Sequence, residues 1–219
     1  MNEIATKFIG AWSIFIKDHI SNGWKEAYLD NTKWTKFILG TKQSKINTGS
    51  PLGDAILGHF GKSAFRYRKE DGLFDLTVAP TQSFHGVKSQ HEVEKARTPV
   101  IDNQSYYPPY YDILIEVENN VETCWEEMTK LTYAKSKLKV LITYNWDVEP
   151  DQDYHYVSEI LINNFSEIIK QSNAEFPENE ETQYMLIVFQ KKEDQLYWNS
   201  GVFKNKDGEL INKQEEHVV

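Results

Sequence analysis

The first sixty residues place hydrophobic side chains at every third or fourth position. Ile4, Phe8, Trp12, Phe15 and His19 follow this spacing, which predicts an amphipathic helix at the start of the chain. The same spacing predicts two shorter helices, whose apolar positions are Trp24, Ala27 and Tyr28, and then Trp34, Phe37 and Ile38. Residues 1–50 are therefore expected to form a helical segment that ends in a polar loop over 40–50.

A fourth helix is predicted to begin at Ser50-Pro51. Serine is a favoured N-cap because its hydroxyl accepts a hydrogen bond from a free backbone amide, and proline fits the first helical position. The apolar face of this helix would be formed by Leu52, Ala55, Ile56 and Phe60.

After residue 63 the pattern changes to strands. Ala64–Lys69 and Leu73–Ala79 read as two strands of a hairpin, because Glu70-Asp71-Gly72 between them is a turn sequence. A long polar loop is expected from Pro80 to Tyr111. The next elements are a strand at Asp112–Glu118, a helix over Val121–Lys137 and a strand at Leu138–Asn145, a succession that predicts a parallel crossover.

The last third of the chain predicts one helix and two strands. The helix would bury a stripe formed by Val157, Ile160, Leu161, Asn164 and Ile168. The strands are Tyr184–Gln190 and Leu196–Lys204, and residues 206–219 read as a frayed tail. The predicted fold is α/β, an α+β mixed sheet flanked by helices, in a single domain over 1–219. Its parts are a helical segment (1–50), a core (51–146), an α-β-β extension (147–205) and the tail.

Composition narrows the class of protein. The chain has 219 residues, 40% of them hydrophobic and 26% charged, which is ample for a full core. Its single cysteine, Cys124, excludes an internal disulfide framework and a cysteine-based zinc site. The sequence shows no bilayer-spanning run and no signal-peptide pattern, so we expect a cytoplasmic protein that does not act at a membrane.

The charge is unevenly distributed. The net charge is −9, yet residues 1–70 carry 11 Lys+Arg against 6 Asp+Glu, whereas residues 71–219 carry 13 against 27. A basic first third is typical of a protein that faces a polyanion. An ordinary charged surface with uneven scatter explains the same numbers equally well.

Carboxylates collect on the predicted strands. Successive side chains of a strand point to opposite faces, so Asp112, Leu114, Glu116 and Glu118 share one face. If the strand that contains Asp75 pairs antiparallel with this one, Asp75 approaches Glu116 and Glu118. Three hard oxygen ligands of this kind select Mg²⁺, Mn²⁺ or Ca²⁺ over zinc. The alternative is a solvated sheet face that happens to be acidic.

This arrangement resembles the PD-(D/E)xK nuclease superfamily. The resemblance covers residues 51–146 and is carried by an Asp on the second strand of a hairpin, a Glu-x-Glu on the next strand, and the helix and parallel strand that follow. It implies a restriction-endonuclease-like αβββαβ core with catalytic and metal-binding roles for Asp75, Glu116 and Glu118. It also implies an Mg²⁺ or Mn²⁺ cofactor and endonuclease-type hydrolysis of nucleic acid, with DNA as the first expectation and RNA left open.

The sequence departs from the superfamily pattern at two positions. Phe74, not proline, precedes Asp75, and Glu118 takes the place of the usual lysine. Lys130 on the following helix is a candidate to supply the missing cation, although a lysine exposed on a helix is the simpler interpretation. Asp54 resembles the acidic residue that many members contribute from the helix before the hairpin, and it also fits an ordinary surface position.

The sequence says less about substrate contacts and oligomeric assembly than about the carboxylates. Arg66, Arg68 and Lys69 are candidates for phosphate contacts, because they lie on the hairpin next to the carboxylates. A homodimer is left open.

The competing function is a protein that keeps the nuclease fold without chemistry and acts as a binding or interaction module. The missing lysine and the acidic surface favour that alternative.

Overall fold

The computed structural model describes residues 1–28, 30–40, 49–71, 74–80, 111–145, 154–192 and 195–218. The chain opens with helices that were predicted from the spacing of apolar residues. They are α1 (Glu3–Phe15), a π-helical segment (Ile16–Ile20), α2 (Ser21–Tyr28), α3 (Asn31–Leu39) and α4 (Pro51–Phe60). The predicted cap of α4 is confirmed, because the Ser50 hydroxyl accepts a hydrogen bond from the Gly53 amide at 3.1 Å.

Strands dominate the rest of the chain. They are β1 (Phe65–Asp71), β2 (Phe74–Pro80), β3 (Tyr111–Glu118), β4 (Ser136–Asn145), β5 (Gln183–Lys192), β6 (Gln195–Lys204) and β7 (Leu210–His217). Helix α5 (Cys124–Thr132) joins β3 to β4, and helix α6 (Tyr154–Glu175) lies between β4 and β5 in the sequence. Most of the predicted loops over 40–50 and 80–111 fall outside the described residues.

The described strands form one mixed sheet, in the order β1-β2-β3-β4-β5-β6-β7. Strands β3, β4 and β5 run parallel, and the remaining neighbours pair antiparallel. The prediction of a mixed α/β protein is therefore confirmed, and so is the parallel pairing of β3 with β4. That pairing needs a crossover connection, which α5 supplies.

Helices cover both faces of the sheet, so the core has two parts. One part packs the N-terminal helices on one face and is rich in aromatic side chains, among them Trp12, Trp34 and Phe189, with 5.0 Å between the ring centroids of Trp34 and Phe189. The other part packs α5 and α6 on the opposite face, around Leu141 and Phe165. Because strand side chains alternate, each strand of the middle of the sheet contributes to both parts.

The crossover helix is shorter than predicted. A helix over Val121–Lys137 was expected, but α5 covers only Cys124–Thr132 and β4 begins at Ser136. Polar and apolar residues alternate from Lys137 to Val140, and a strand follows this period of two. Of the apolar side chains of α5, Met128 and Leu131 are buried beneath the strands, whereas Trp125 is 53% exposed.

The buried face of α6 was predicted only in part: Leu161 is buried, and Val157 and Ile168 pack against the same core. The expected stripe included Ile160, which is 39% exposed, and Asn164, which is exposed. The helix instead buries a stripe rotated by about one residue, formed by Ser158, Leu161, Ile162, Phe165 and Ile169. Isoleucines lie on both sides of this helix, so the apolar positions alone do not fix which side meets the sheet.

The predicted frayed tail over 206–219 is wrong for most of its length. Leu210–His217 forms β7, which pairs antiparallel with β6, and the Val218 amide donates to the Leu196 carbonyl at 2.8 Å. The sequence of β7 is mostly polar because it lies at the end of the sheet order. Its backbone hydrogen bonds, together with packing by Ile211 and Val218, hold it in place.

Candidate functional site

Two predicted site residues, Asp75 and Glu116, meet at the junction of β2 and β3. The strands are antiparallel, with Thr77 opposite Leu114 and Leu76 opposite Ile115. The same register, continued by one residue, brings Asp75 opposite Glu116. The two carboxyl groups are hydrogen-bond partners, and Asp75 Oδ2 also accepts from the Val117 amide at 2.9 Å. The local cause is the strand pairing itself, which aligns two acidic positions on one face.

Burial dominates the electrostatics of this pair. Glu116 is only 2% exposed. Burial, followed by repulsion from Asp75, raises the pKa of Glu116 to about 9, and burial also raises the pKa of Asp75. Ionising both of two adjacent buried carboxyl groups has a high free-energy cost, so the pair retains a proton at neutral pH. A cation bound between them would oppose both shifts, because it would stabilise the ionised form of each carboxyl group.

Lys130 supplies a positive charge to this pair. Its Nζ lies 2.8 Å from Glu116 Oε1, forms an ion pair with Glu127 one helical turn earlier, and lies 5.9 Å from the centre of the Phe74 ring. Burial alone would lower the pKa of Lys130, but the hydrogen bonds with Glu116 and Glu127 outweigh it, and the pKa is raised. The lysine is therefore charged, and it is not the freely exposed helix lysine of the simpler interpretation.

Glu118 lies at the margin of this centre. It is half-buried, and its Oε1 accepts from the Asn120 amide at 2.8 Å, so the side chain turns back towards its own loop. Burial and then the charges of Glu127 and Asp75 raise the pKa of Glu118. Glu118 is therefore close enough for the charge of Asp75 to raise its pKa, but its Oε1 is bonded to its own loop and not to the Asp75–Glu116 pair.

The described residues contain no preformed site of three metal ligands. In the part of the chain that the structure describes, no group of three His, Cys, Asp or Glu side chains is spaced to hold a metal ion. Asp112, the remaining carboxylate on this face of β3, is bound at its Oδ1 by Lys137 at 2.8 Å. The expected convergence of three carboxylates is reduced to Asp75 and Glu116, with Lys130 as their cationic neighbour.

Asp54 does not reach the centre. Its Oδ1 accepts a hydrogen bond from the Tyr67 hydroxyl at 2.8 Å, and that hydroxyl also accepts from the Ser50 amide at 3.2 Å. Tyr67 belongs to the core on the side of the N-terminal helices, whereas Glu116 faces α5. The sheet therefore separates Asp54 from Glu116, and its interaction with Tyr67 ties α4 to β1.

The three basic candidates of β1 divide between the two faces. Arg66 and Arg68 are partly exposed and lie opposite Ala79 and Thr77, so they share the face of Asp75. Lys69 was predicted to contact phosphate, but it is 2% exposed, and its Nζ donates to the Gly40 carbonyl at 3.0 Å. Strand alternation places Lys69 with Tyr67 on the side of the N-terminal helices, which makes it a structural residue.

Sequence reasoning missed Glu127 and gave little weight to Lys130. The available signal was their spacing of three residues on the helix that directly follows the acidic strand, since residues at this spacing are neighbours on a helix. What the spacing could not give was the rotation of α5 about its axis, which decides whether the pair meets Glu116 or solvent.

Comparison with known proteins assigns nothing further: no family model matches the chain, and neither does any curated protein. Among the described helices, none has the length and apolar character that crossing a membrane requires.

Proposed function

We propose that this chain is a metal-dependent nuclease with a restriction-endonuclease-like core, which hydrolyses phosphodiester bonds in DNA or RNA. The observation that carries the proposal is the meeting of Asp75, Glu116 and Lys130 at one buried point of the sheet. The order α4-β1-β2-β3-α5-β4 adds support, because it is the α-β-β-β-α-β order that the PD-(D/E)xK resemblance implies.

The donor atoms suit Mg²⁺ or Mn²⁺. Both ions prefer carboxylate oxygens, and Mg²⁺ is commonly bound by one or two carboxylates, with water and substrate phosphate as its other ligands. Asp75 and Glu116 would hold the ion, and their mutual repulsion would be relieved by it. When bound, a divalent ion would lower the pKa of a coordinated water and neutralise charge on the scissile phosphate.

The residues around the pair have separable roles in this proposal. Lys130 is charged, so it cannot act as a base; it donates hydrogen bonds to the attacking water or to a phosphate oxygen and stabilises developing negative charge. Glu118 has a raised pKa, which makes it a better proton acceptor than an exposed glutamate, and it is the candidate base. In this scheme Lys130 replaces the lysine that Glu118 displaces from the superfamily motif.

Metal binding tests the proposal directly. Calorimetric titration with Mn²⁺ should show saturable binding to the wild type and its loss in Glu116→Gln, which keeps the size of the side chain. Glu126→Gln is the matched control, because it makes the same change of side chain at an exposed position of α5. Equal Mn²⁺ affinity in the wild type and Glu116→Gln would overturn the metal site.

Cleavage tests the reaction. Supercoiled plasmid, labelled single-stranded DNA and labelled RNA, each incubated with Mg²⁺ or Mn²⁺, should be cut by the wild type and by Glu126→Gln, and not by Glu116→Gln. A wild type that binds Mn²⁺ and nucleic acid but cuts none of these substrates would exclude the nuclease and leave the alternative, an inactive binding module.

A further inference from the structure

A metal ion bound at the centre would compete with Lys130 for Glu116. In the structure the ammonium group is held between two carboxylates, Glu116 on β3 and Glu127 on its own helix, and its Nζ lies 5.9 Å from the centre of the Phe74 ring. Glu116 is also one of the two groups that would bind the ion. An oxygen that coordinates a divalent cation becomes a poor partner for an adjacent ammonium, because the two positive charges repel each other.

Glu127 would not coordinate the ion, so metal binding would not weaken its interaction with Lys130. It lies three residues before Lys130, where helix geometry makes the two side chains neighbours, and both remain partly exposed, at 24% and 27% of the side chain. A lysine side chain is a flexible four-carbon stem, so an ammonium that lost its carboxylate partner would gain more by turning into water than by staying beside a cation.

We propose that Glu127 is a positioning residue, which keeps the Lys130 ammonium at the centre when Glu116 is engaged by the metal ion. This inference rests on the proposed nuclease function and identifies the residue on which its catalytic lysine depends. Glu127 acts through Lys130 and contacts neither metal nor substrate in this scheme. Its loss should therefore lower the rate of the chemical step while metal binding remains.

A double-mutant cycle measures this dependence. Glu127→Gln and Lys130→Met should each lower kcat by about 10²-fold, the usual effect of a misplaced catalytic group. The double variant should be no slower than Lys130→Met alone, because Glu127 has nothing left to position. Glu126→Gln is the matched control, since Glu126 and Glu127 are both acidic residues in the first turn of α5 and affect the helix dipole alike. Its kcat should equal that of the wild type.

Mn²⁺ affinity, measured by calorimetry, distinguishes positioning from ligation. We expect Glu127→Gln to bind Mn²⁺ within a few-fold of the wild type, whereas Glu116→Gln should not bind it. Loss of Mn²⁺ binding in Glu127→Gln would make Glu127 a ligand and overturn the inference. So would rate losses that multiply in the double variant, since they would show that the two residues act independently.

The same experiments separate this inference from the function on which it rests. A wild type that cleaves nothing overturns both proposals. A wild type that cleaves, combined with a Glu127→Gln variant of unchanged kcat, overturns only the role of Glu127 and leaves the nuclease assignment intact. Circular dichroism of each variant confirms that the comparison is made between folded proteins.

Discussion

Glu116 combines a role in the proposed chemistry with a cost to the fold. Its folded-state pKa of about 9 lies above the ordinary value of 4.5. Between these two pH values the folded protein therefore holds a proton that the unfolded chain has released. Stability falls as pH rises wherever the folded state binds more protons, so Glu116 lowers the stability of the wild type progressively through this window.

Replacing the residue should reveal that cost. In a buffer with a chelator, we expect Glu116→Gln to be more stable than the wild type, by a margin that widens from pH 5 to pH 9 at up to about 1.4 kcal/mol per pH unit. Urea denaturation at several pH values provides the measurement. Glu122→Gln, at an exposed position before α5, is the control and should follow the wild type at every pH. Parallel curves for the wild type and Glu116→Gln would show that Glu116 ionises normally.

At the scale of the elements, a buried ion pair connects β4 to the segment after α6. Lys139 on β4 is 0% exposed, and its Nζ donates to both carboxylate oxygens of Glu178 at 2.6 Å and to the Tyr184 hydroxyl at 3.0 Å. Burial lowers the pKa of Lys139 to about 8, and Glu178 opposes that shift. The pair holds the residues between α6 and β5 against the start of β4.

Breaking this pair from one side should be costly. Glu178→Gln leaves an ammonium buried without its counterion, and we expect it to lower the free energy of unfolding by about 3–5 kcal/mol at pH 7. The double variant Lys139→Met/Glu178→Gln should recover much of that loss, because no buried charge remains. Glu180→Gln, at an exposed position two residues away, is the control. A double variant no more stable than Glu178→Gln would show that the charges are not the cause.

The last strand provides a second test at this scale. A chain that ends at Glu209 lacks β7, so β6 loses its backbone partner on that side and the packing of Ile211 and Val218 is removed. We expect a fall of several kcal/mol in the free energy of unfolding, since each buried aliphatic side chain contributes about 1.5–3 kcal/mol. A chain that lacks only Val219 is the control. Unchanged stability in the shorter chain would agree with a frayed tail.

The elements also show which features a sequence can reveal. The alternation of polar and apolar residues predicted the strands and the face that the carboxylates of β3 share, and Asp75 meets Glu116 because β2 and β3 pair antiparallel, which the sequence analysis could state only as a condition. The contact of Lys130 with Glu116 depends instead on how α5 is rotated over the sheet, and packing between layers decides this rotation. Strand β7 escaped prediction for a related reason: its order comes from backbone pairing to β6, which leaves no apolar pattern in its own residues.

For the whole molecule, charge decides where a polyanion can approach. The net charge of −9 repels nucleic acid in general, so binding requires a local concentration of cations near the centre. In the proposed function Arg66 and Arg68 on β1 would meet this requirement, because β1 lies next to β2 and both side chains share the face of Asp75. Among the described elements, helices α5 and α6 pack over this face of the strands beyond β2, whereas Arg66 and Arg68 on β1 are partly exposed, and we expect nucleic acid to reach the centre from the side of β1 and β2.

Charge reversal at the two arginines should weaken nucleic-acid binding while the protein stays folded. Binding of a labelled duplex, followed by fluorescence anisotropy between about 50 and 200 mM salt, should weaken in Arg66→Glu/Arg68→Glu, and its salt dependence should flatten because fewer counterions are released. Lys206→Glu/Lys213→Glu changes the net charge equally at exposed positions, with Lys213 on β7 at the far end of the sheet order, so it should retain the wild-type slope. If both double variants weaken binding alike, only net charge matters, and the side of β1 and β2 is not the path by which nucleic acid reaches Asp75 and Glu116.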